Sequence, residues 1–360
     1  DAGYVALVNC TNIRIQNLNI RNGLQGLLLA FTKNSTISQN RIAECGALIH
    51  WLEWFTGGVE LVNSSGNFIY SNTVVNSTIS LFKSFNNNIH ANNFLMSGIH
   101  LFLSSSNVIS RNTLQEASLT QFWWQDWLGG ILLEESHNNT VSENHVANGH
   151  DGILLYDSAN NTIRNNSLTG NRYNFGVYAG DLMCFINDVD VSNTVDGKPI
   201  YYWINKHNQT VPTDAGYVAL VNCTNIRIQN LLLINNKQGV LLAYTSNSTL
   251  NRNVISCNYI GVYLQRASNN IISENSITSN YNGVFIDSGE NNIIYHNDFI
   301  ANVYEARSYA WGEENLWDAG YPSGGNYWSA YEGTDLYSGP YQNETGSDGI
   351  GDAPYLINSE

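Results

Sequence analysis

Charge is scarce in this chain of 360 residues. Asp, Glu, Lys and Arg make up 12% of it, about half the usual share, and 15 basic residues face 30 acidic ones for a net charge of −15. Without a Lys/Arg cluster, that balance argues against a nucleic-acid backbone or an anionic membrane surface as partner. Long apolar runs are missing too: none reaches the roughly 18 residues needed to span a bilayer as a helix. Asp1 opens the sequence with neither an initiator Met nor a signal peptide, which reads as a processed product or a fragment. The five cysteines, Cys10, Cys45, Cys184, Cys223 and Cys257, are odd in number and far apart, so buried thiols are expected in place of a disulfide framework.

Asparagine, by contrast, is abundant and fills about one position in seven. Eleven Asn-x-Ser/Thr triplets begin at Asn9, Asn34, Asn63, Asn76, Asn138, Asn160, Asn165, Asn208, Asn222, Asn247 and Asn343. They are candidate glycosylation sites and point to an exported, extracellular chain, although a sequence this rich in Asn, Ser and Thr also produces such triplets by composition.

Two periods organise the sequence. Residues 1–18, DAGYVALVNCTNIRIQNL, recur unchanged as residues 214–231, so a module spanning 1–213 is followed by part of a second copy. The shorter period is carried by Asn17, Asn40, Asn72, Asn92, Asn112, Asn144 and Asn166, then Asn230, Asn253, Asn275 and Asn297, mostly spaced by about 22 positions. A second column, Gly26, Gly58, Gly98, Gly130, Gly152, Gly176, Gly239, Gly261 and Gly283, runs with it. Between these columns lie short alternating stretches such as GVYLQ and NSITS, with no helical periodicity. Strands this short cannot bury a face alone, but coiling the chain and stacking each turn on the last encloses a continuous apolar core. The expectation is an all-β, right-handed parallel β-helix of about 11 to 12 coils, with Asn ladders at a bend and an aromatic C-terminal cap.

The units NNTISxN and GIxLxxSxNN, the joint DGKPIYYWINK and the ending GGNYWSAY…DGIGDAPY resemble the β-helix repeat family typified by NosD, and within it the exported, surface-layer-associated members of methanogenic archaea. The resemblance covers essentially the whole chain. It implies the fold strongly and the function weakly, because related coils serve in lyases, hydrolases, epimerases, adhesins and assembly factors. It also raises copper, for which the ligands are thin: His50, His90, His100, His137, His145, His150, His207 and His296 occupy scattered offsets, and Met96 and Met183 stand alone.

The organisation expected is a first β-helix module over 1–187, an inter-module loop or hairpin over 188–213, a second module over 214–302 and a Trp/Tyr/Gly-rich cap over 303–360 that includes Trp311, Trp317, Trp328 and Tyr331. Two longer Asn spacings, from Asn40 to Asn72 and from Asn112 to Asn144, mark aromatic insertions. One lies near 46–57 with Trp51, Trp54 and Phe55, the other near 117–129 with Phe122, Trp123, Trp124 and Trp127. These rings are candidates for local packing back onto the coil, for a protein interface or for carbohydrate stacking. Two further columns, Leu132, Leu154 and Tyr178, and Leu241, Tyr263 and Phe285, should face outward beneath loops or a second subunit.

Acidic chemistry is concentrated in a proposed ladder, Glu135, Asp157 and Asp181, five residues after successive glycines, with Glu134 beside it. Carboxylates stacked about 5 Å apart call for a cation or a shared proton, so the ladder is a candidate calcium site or a sugar-cleaving pair; solvated surface acids are the plain alternative. His150 and Arg172 share a column expected to neighbour it and join Glu135 and Asp157 as catalytic candidates. The loop holding Asp335, Glu344, Asp348 and Asp352 is a second calcium candidate, although it departs from the EF-hand pattern and a Gly-rich turn is the plain alternative. No complete catalytic motif is present. The preferred function is therefore a non-catalytic cell-surface, sheath or filament component that needs no cofactor and binds glycans or its own copies head to tail or side by side. A polysaccharide lyase or hydrolase is the alternative, and a maturation factor for an exported metalloenzyme a third reading.

Overall fold

The computed structural model describes residues 3–45, 57–117, 129–309 and 314–357. They form two compact units, 1–200 and 201–360. Strands of three to seven residues predominate, joined by bends, and the one helical segment among the described residues is a single 3-10 turn, Leu182–Phe185.

The first unit is a parallel coil with three faces. Its first sheet stacks Val5–Val8, Leu27–Ala30, Val59–Val62, Ile79–Phe82, Ile99–Phe102, Ile131–Glu134, Asp151–Tyr156 and Tyr173–Tyr178 in that order, and two further sheets of short strands repeat the arrangement. The second unit stacks Tyr217–Val221, Gln238–Ala243, Ile260–Gln265, Asn282–Asp287 and Tyr304–Ser308 in the same manner. Among the described residues eight coils in the first unit and five in the second make 13, more than the 11 to 12 expected, because each unit adds a strand after its last periodic Asn, Tyr173–Tyr178 after Asn166 and Tyr304–Ser308 after Asn297.

Alternation explains the interior. In each strand every second side chain points inward, so the columns Leu29, Leu61, Leu81, Leu101 and Leu133, Ile37, Ile69, Ile89 and Ile109, and Ile20, Ile42, Val74 and Phe94 are all buried. Ladders of side-chain amides close two of the bends. Asn40, Asn72, Asn92, Asn112, Asn144, Asn166 and Asn193 form one: the Oδ1 of Asn112 accepts from the Asn92 backbone N–H at 2.9 Å, while the Asn92 side-chain amide donates to Ile69 O and Asn112 Oδ1. A second ladder, Asn67, Asn87, Asn107, Asn139, Asn161 and Asn187, has the same form and lies outside the Asn column read from the sequence. Because each amide is saturated, the buried polar stack carries little desolvation penalty. Asn17 and Asn230 are not rungs: Asn40 and Asn253 bond to the backbone of Leu18 and Leu231, and Asn17 and Asn230 are left-handed bend residues one position earlier.

Ten of the eleven triplet asparagines, all but Asn343, have φ between 44° and 57°. Left-handed backbone favours Asn among non-glycine residues. The next residue turns inward, often as a ladder Ser or Asn, and a Ser or Thr follows as the chain re-enters a strand or bridge. The bend itself therefore selects the triplet, a physical reason for its frequency that is independent of glycosylation. All eleven asparagines are exposed.

In the first unit, Thr194–Val195 pairs antiparallel with the start of Lys198–Ile204 across Asp196 and Gly197, whose φ values of 48° and 78° are those of a two-residue hairpin turn. In the second, Trp203, Trp317 and Trp328 pack against the apolar core. The Trp328 ring stacks on Phe299 and on Tyr355, with centroids 4.4 Å apart in each pair. Trp311 lies outside the described residues.

Candidate functional site

The outward side chains of the first unit's first sheet are set by register. One column reads Ala6, Leu28, Glu60, Ser80, His100, Leu132, Leu154 and Gly176. The next, two residues along each strand, reads Val8, Ala30, Val62, Phe82, Phe102, Glu134, Tyr156 and Tyr178. Glu60 is 3% exposed although it points away from the core; the Gln25 side-chain amide donates to its Oε2, and burial pushes its carboxyl up to about 7. His100 Nε2 lies 2.9 Å from Glu134 Oε2, both side chains being partly exposed. Phe82 and Phe102 stack with centroids 5.7 Å apart, His100 stacks on Phe102 at 6.4 Å, and Lys83 Nζ sits 4.9 Å from the Phe82 ring centre. Protonatable groups, a hydroxyl and flat rings thus share one face.

Sequence reasoning missed Glu60, Ser80 and His100 as a group. The signal was present: Glu60 and His100 stand two residues after Gly58 and Gly98, the offset that placed Leu132 and Leu154 in an outward column. Tyr178 does not belong to that column. The strand Tyr173–Tyr178 aligns Gly176 with Leu154, two residues away from the spacing of the glycines, and pairs Tyr178 with Tyr156. The column Leu241, Tyr263 and Phe285 is in register, and its first two members are buried.

The same shift breaks the acidic ladder. Glu135 and Asp157 follow the paired Glu134 and Tyr156 and sit on adjacent coils, whereas Asp181 lies two positions beyond the register partner of Asp157. Its carboxylate caps the 3-10 turn by accepting from the N–H groups of Met183 and Cys184, and Asp157 Oδ1 accepts from Gly180 N–H at 2.7 Å. Burial first, then Asp181 and Asp157, push the Cys184 thiol up to about 11, so it stays protonated. Burial and the charges of Asp157, Glu134 and Glu135 likewise raise the Tyr156 phenol.

His150 and Arg172 do share a column, since Asp151 pairs with Tyr173. They do not neighbour the acids: His150 precedes the strand Asp151–Tyr156 and Asp157 follows it, a separation of about 23 Å at roughly 3.3 Å per residue. There His150 Nδ1 lies 3.3 Å from Asp151 Oδ2, and the His150 and Arg172 side chains pack on the Tyr173 ring. In the C-terminal loop the carboxylates are engaged by backbone. Asp335 accepts from Ser347 Oγ and from the N–H groups of Asp348 and Gly349, and these bonds hold its carboxyl below the usual range. Asp348 accepts from Gly339 and Ile350, and Asp352 from Leu336 and Tyr337. Oxygens already paired with N–H groups are poorly placed for the calcium role expected of Asp348 and Asp352. Trp51, Trp54, Phe55, Trp123, Trp124 and Trp127 lie outside the described residues.

The family model described as "Periplasmic copper-binding protein (NosD)" matches residues 130–333, more than half of the chain. The chain belongs to the NosD family. A model of the right-handed β-helix region matches residues 2–96, so this NosD-family coil is right-handed. No curated protein matches it. Similar solved structures include the periplasmic alginate epimerase AlgG, at 13% identity over 83% of this chain and 65% of that one, TM-score 0.27. Others are the Dettilon tailspike protein, at 12% over 83% and 62%, TM-score 0.30, and endopolygalacturonase I of Stereum purpureum with two galacturonates, at 10% over 86% and 96%, TM-score 0.30. The chain thus spans about two thirds of the epimerase. Likenesses at this level leave the chemistry of the NosD-family chain to be argued from its own residues.

Copper, named in the family's description, does not fit the donors seen. Among the described residues no group of three or more His, Cys, Asp or Glu could hold a metal ion. Met96 and Met183 are exposed and far apart in sequence, and the five cysteines are free. Copper favours convergent His, Met or Cys ligands, and His100, the histidine of the outward column, is engaged by a carboxylate.

Proposed function

We propose that this chain is an exported β-helix protein that binds polysaccharide along the outer face of the first unit's first sheet. The observation that carries the reading is the in-register pairing of Phe82 with Phe102, stacked at 5.7 Å, beside the column of Glu60, Ser80 and His100. The two half-buried rings add apolar surface beside polar groups, the combination on which the C–H faces and hydroxyls of sugars are held. Coils repeating about every 4.8 Å suit an extended polymer better than a compact ligand. Export is supported by the periplasmic description of the family, and a cell surface or sheath is where such a face would meet its ligand. The acidic ladder gives less support to a sugar-cleaving pair, because Asp181 is out of register and Asp157 is engaged by Gly180.

The test is affinity electrophoresis and calorimetry against a panel of neutral and uronic-acid polysaccharides. One or more should bind, and Phe102→Ala should weaken that binding about tenfold, equivalent to ~1.4 kcal/mol. Absence of binding across the panel, or binding indifferent to Phe102→Ala and Phe82→Ala, would reject the reading.

A further inference from the structure

Three residues on three successive strands of this face have the order of a hydrolytic triad. Ser80 in Ile79–Phe82 is the register partner of His100 in Ile99–Phe102. Neighbouring strands lie about 4.8 Å apart, so directly paired residues set the serine hydroxyl and the imidazole side by side; they are not hydrogen-bonded in this structure, and a rotamer change would join them. On its other side His100 meets the third strand, Ile131–Glu134: Glu134 pairs with Phe102, and its carboxylate turns back to lie 2.9 Å from His100 Nε2. That contact assigns the ring proton to Nε2, which leaves Nδ1 as the accepting nitrogen. Ser80 is half-buried, and the Gly57 backbone passes so close that a Cβ there would lie 3.5 Å from Ser80 Oγ. Glu60, on the strand before Ser80, completes the row.

We propose that Ser80, His100 and Glu134 hydrolyse carboxylic esters, with Ser80 as nucleophile, His100 as base, Glu134 as positioning residue and Glu60 as donor to the oxyanion. Ser80 Oγ attacks the acyl carbon and its proton passes to His100. Collapse of the tetrahedral adduct breaks the bond to the alcohol oxygen, which takes that proton from His100. Water then attacks the acyl-serine, giving up a proton through His100 to Ser80 Oγ and releasing the carboxylic acid. Glu60 suits its role because burial favours the neutral acid: Oε2 accepts from Gln25, and the acid's remaining O–H is a donor that needs no charge. The natural ester would be an O-acyl group on a bound polysaccharide. Only that identification rests on the polysaccharide reading, since the triad itself can act on a small ester.

The experiment uses the full chain with p-nitrophenyl acetate and a fluorophosphonate probe at pH 6.5, with circular dichroism confirming that each variant is folded. Hydrolysis is expected together with probe attachment at Ser80 located by mass spectrometry, and both should fall at least about a hundredfold in Ser80→Ala and His100→Ala. Glu134→Gln should lower kcat while leaving KM unchanged, and Glu60→Gln, which keeps a donor, should retain more activity than Glu60→Leu. Absence of both hydrolysis and labelling, attachment to a different serine, or hydrolysis unchanged in folded Ser80→Ala would overturn the proposal. Failure of the polysaccharide panel with hydrolysis intact would reject the binding reading alone.

Discussion

The two units begin their outer columns alike and then part. Ala6 and Leu28 in the first correspond to Ala219 and Leu241 in the second, as the duplication requires, but the first continues with Glu60, Ser80 and His100 and the second with Tyr263, Phe285 and Arg307. Inside, both keep aliphatic columns and Asn ladders. A coil of this kind is held by its inward half, where every position touches the turns above and below, so the outward half is free to diverge after duplication. The second unit's column is aromatic and ends at Arg307, with Tyr263 and Phe285 stacked 5.3 Å apart and Tyr263 buried, whereas the first carries Glu60, Ser80 and His100 there.

If the inner half carries stability, the largest effect belongs to its bulkiest rings. Phe299→Ala in the second unit removes a fully buried ring stacked on Trp328 and should cost about 3–5 kcal/mol in denaturant unfolding. Asn92→Leu in the first unit removes a saturated rung and strands the buried groups of its neighbours, the Ile69 carbonyl and the Asn72 N–H among them. A loss of about 2–4 kcal/mol is expected, followed by chemical denaturation. A neutral result for either would dissolve the contrast between a fixed interior and a free exterior.

Glu60 sharpens it from outside. Its folded carboxyl titrates near 7 against an ordinary value of 4.5, raised by burial. For an acid raised in the folded state, the native form holds the proton longer, so stability is full below the lower value and falls as pH rises through that window. Roughly 1–3 kcal/mol should be lost between about pH 4.5 and 7.5, and Glu60→Gln should flatten that part of the curve in melts across pH. The smallest effect is expected at the exposed pairs Arg111 with Glu143 and Arg252 with Glu274, one in each unit. Replacing either arginine by alanine should leave the melting temperature within error, because solvent screens such pairs.

Counting along the sequence misplaced some outward residues and hid others. Counting residues from glycines treats every coil as equal, yet the strand Tyr173–Tyr178 is offset by two from the glycine column, which displaced Asp181 from its supposed ladder and Tyr178 from its column. Conversely, Glu60 and His100 kept the common offset and were passed over because their column was read from its apolar members, Leu132 and Leu154. Ser80 offered no glycine to count from, since Ser77 and Thr78 precede its strand.

By itself the sequence determined the coil: a repeat of about 22 residues, inward Ile, Leu and Val, and Asn at the bends leave stacking of turns as the way to bury the apolar half. Those are local choices repeated along the chain, so they are visible one residue at a time. Only the tertiary structure decided which outward residues meet. Ser80, His100 and Glu134 stand on three separate coils, and the hydrogen-bonded register of three adjacent strands, with an insertion between the last two, brings them together. Register belongs to pairs of strands, and no single segment carries it.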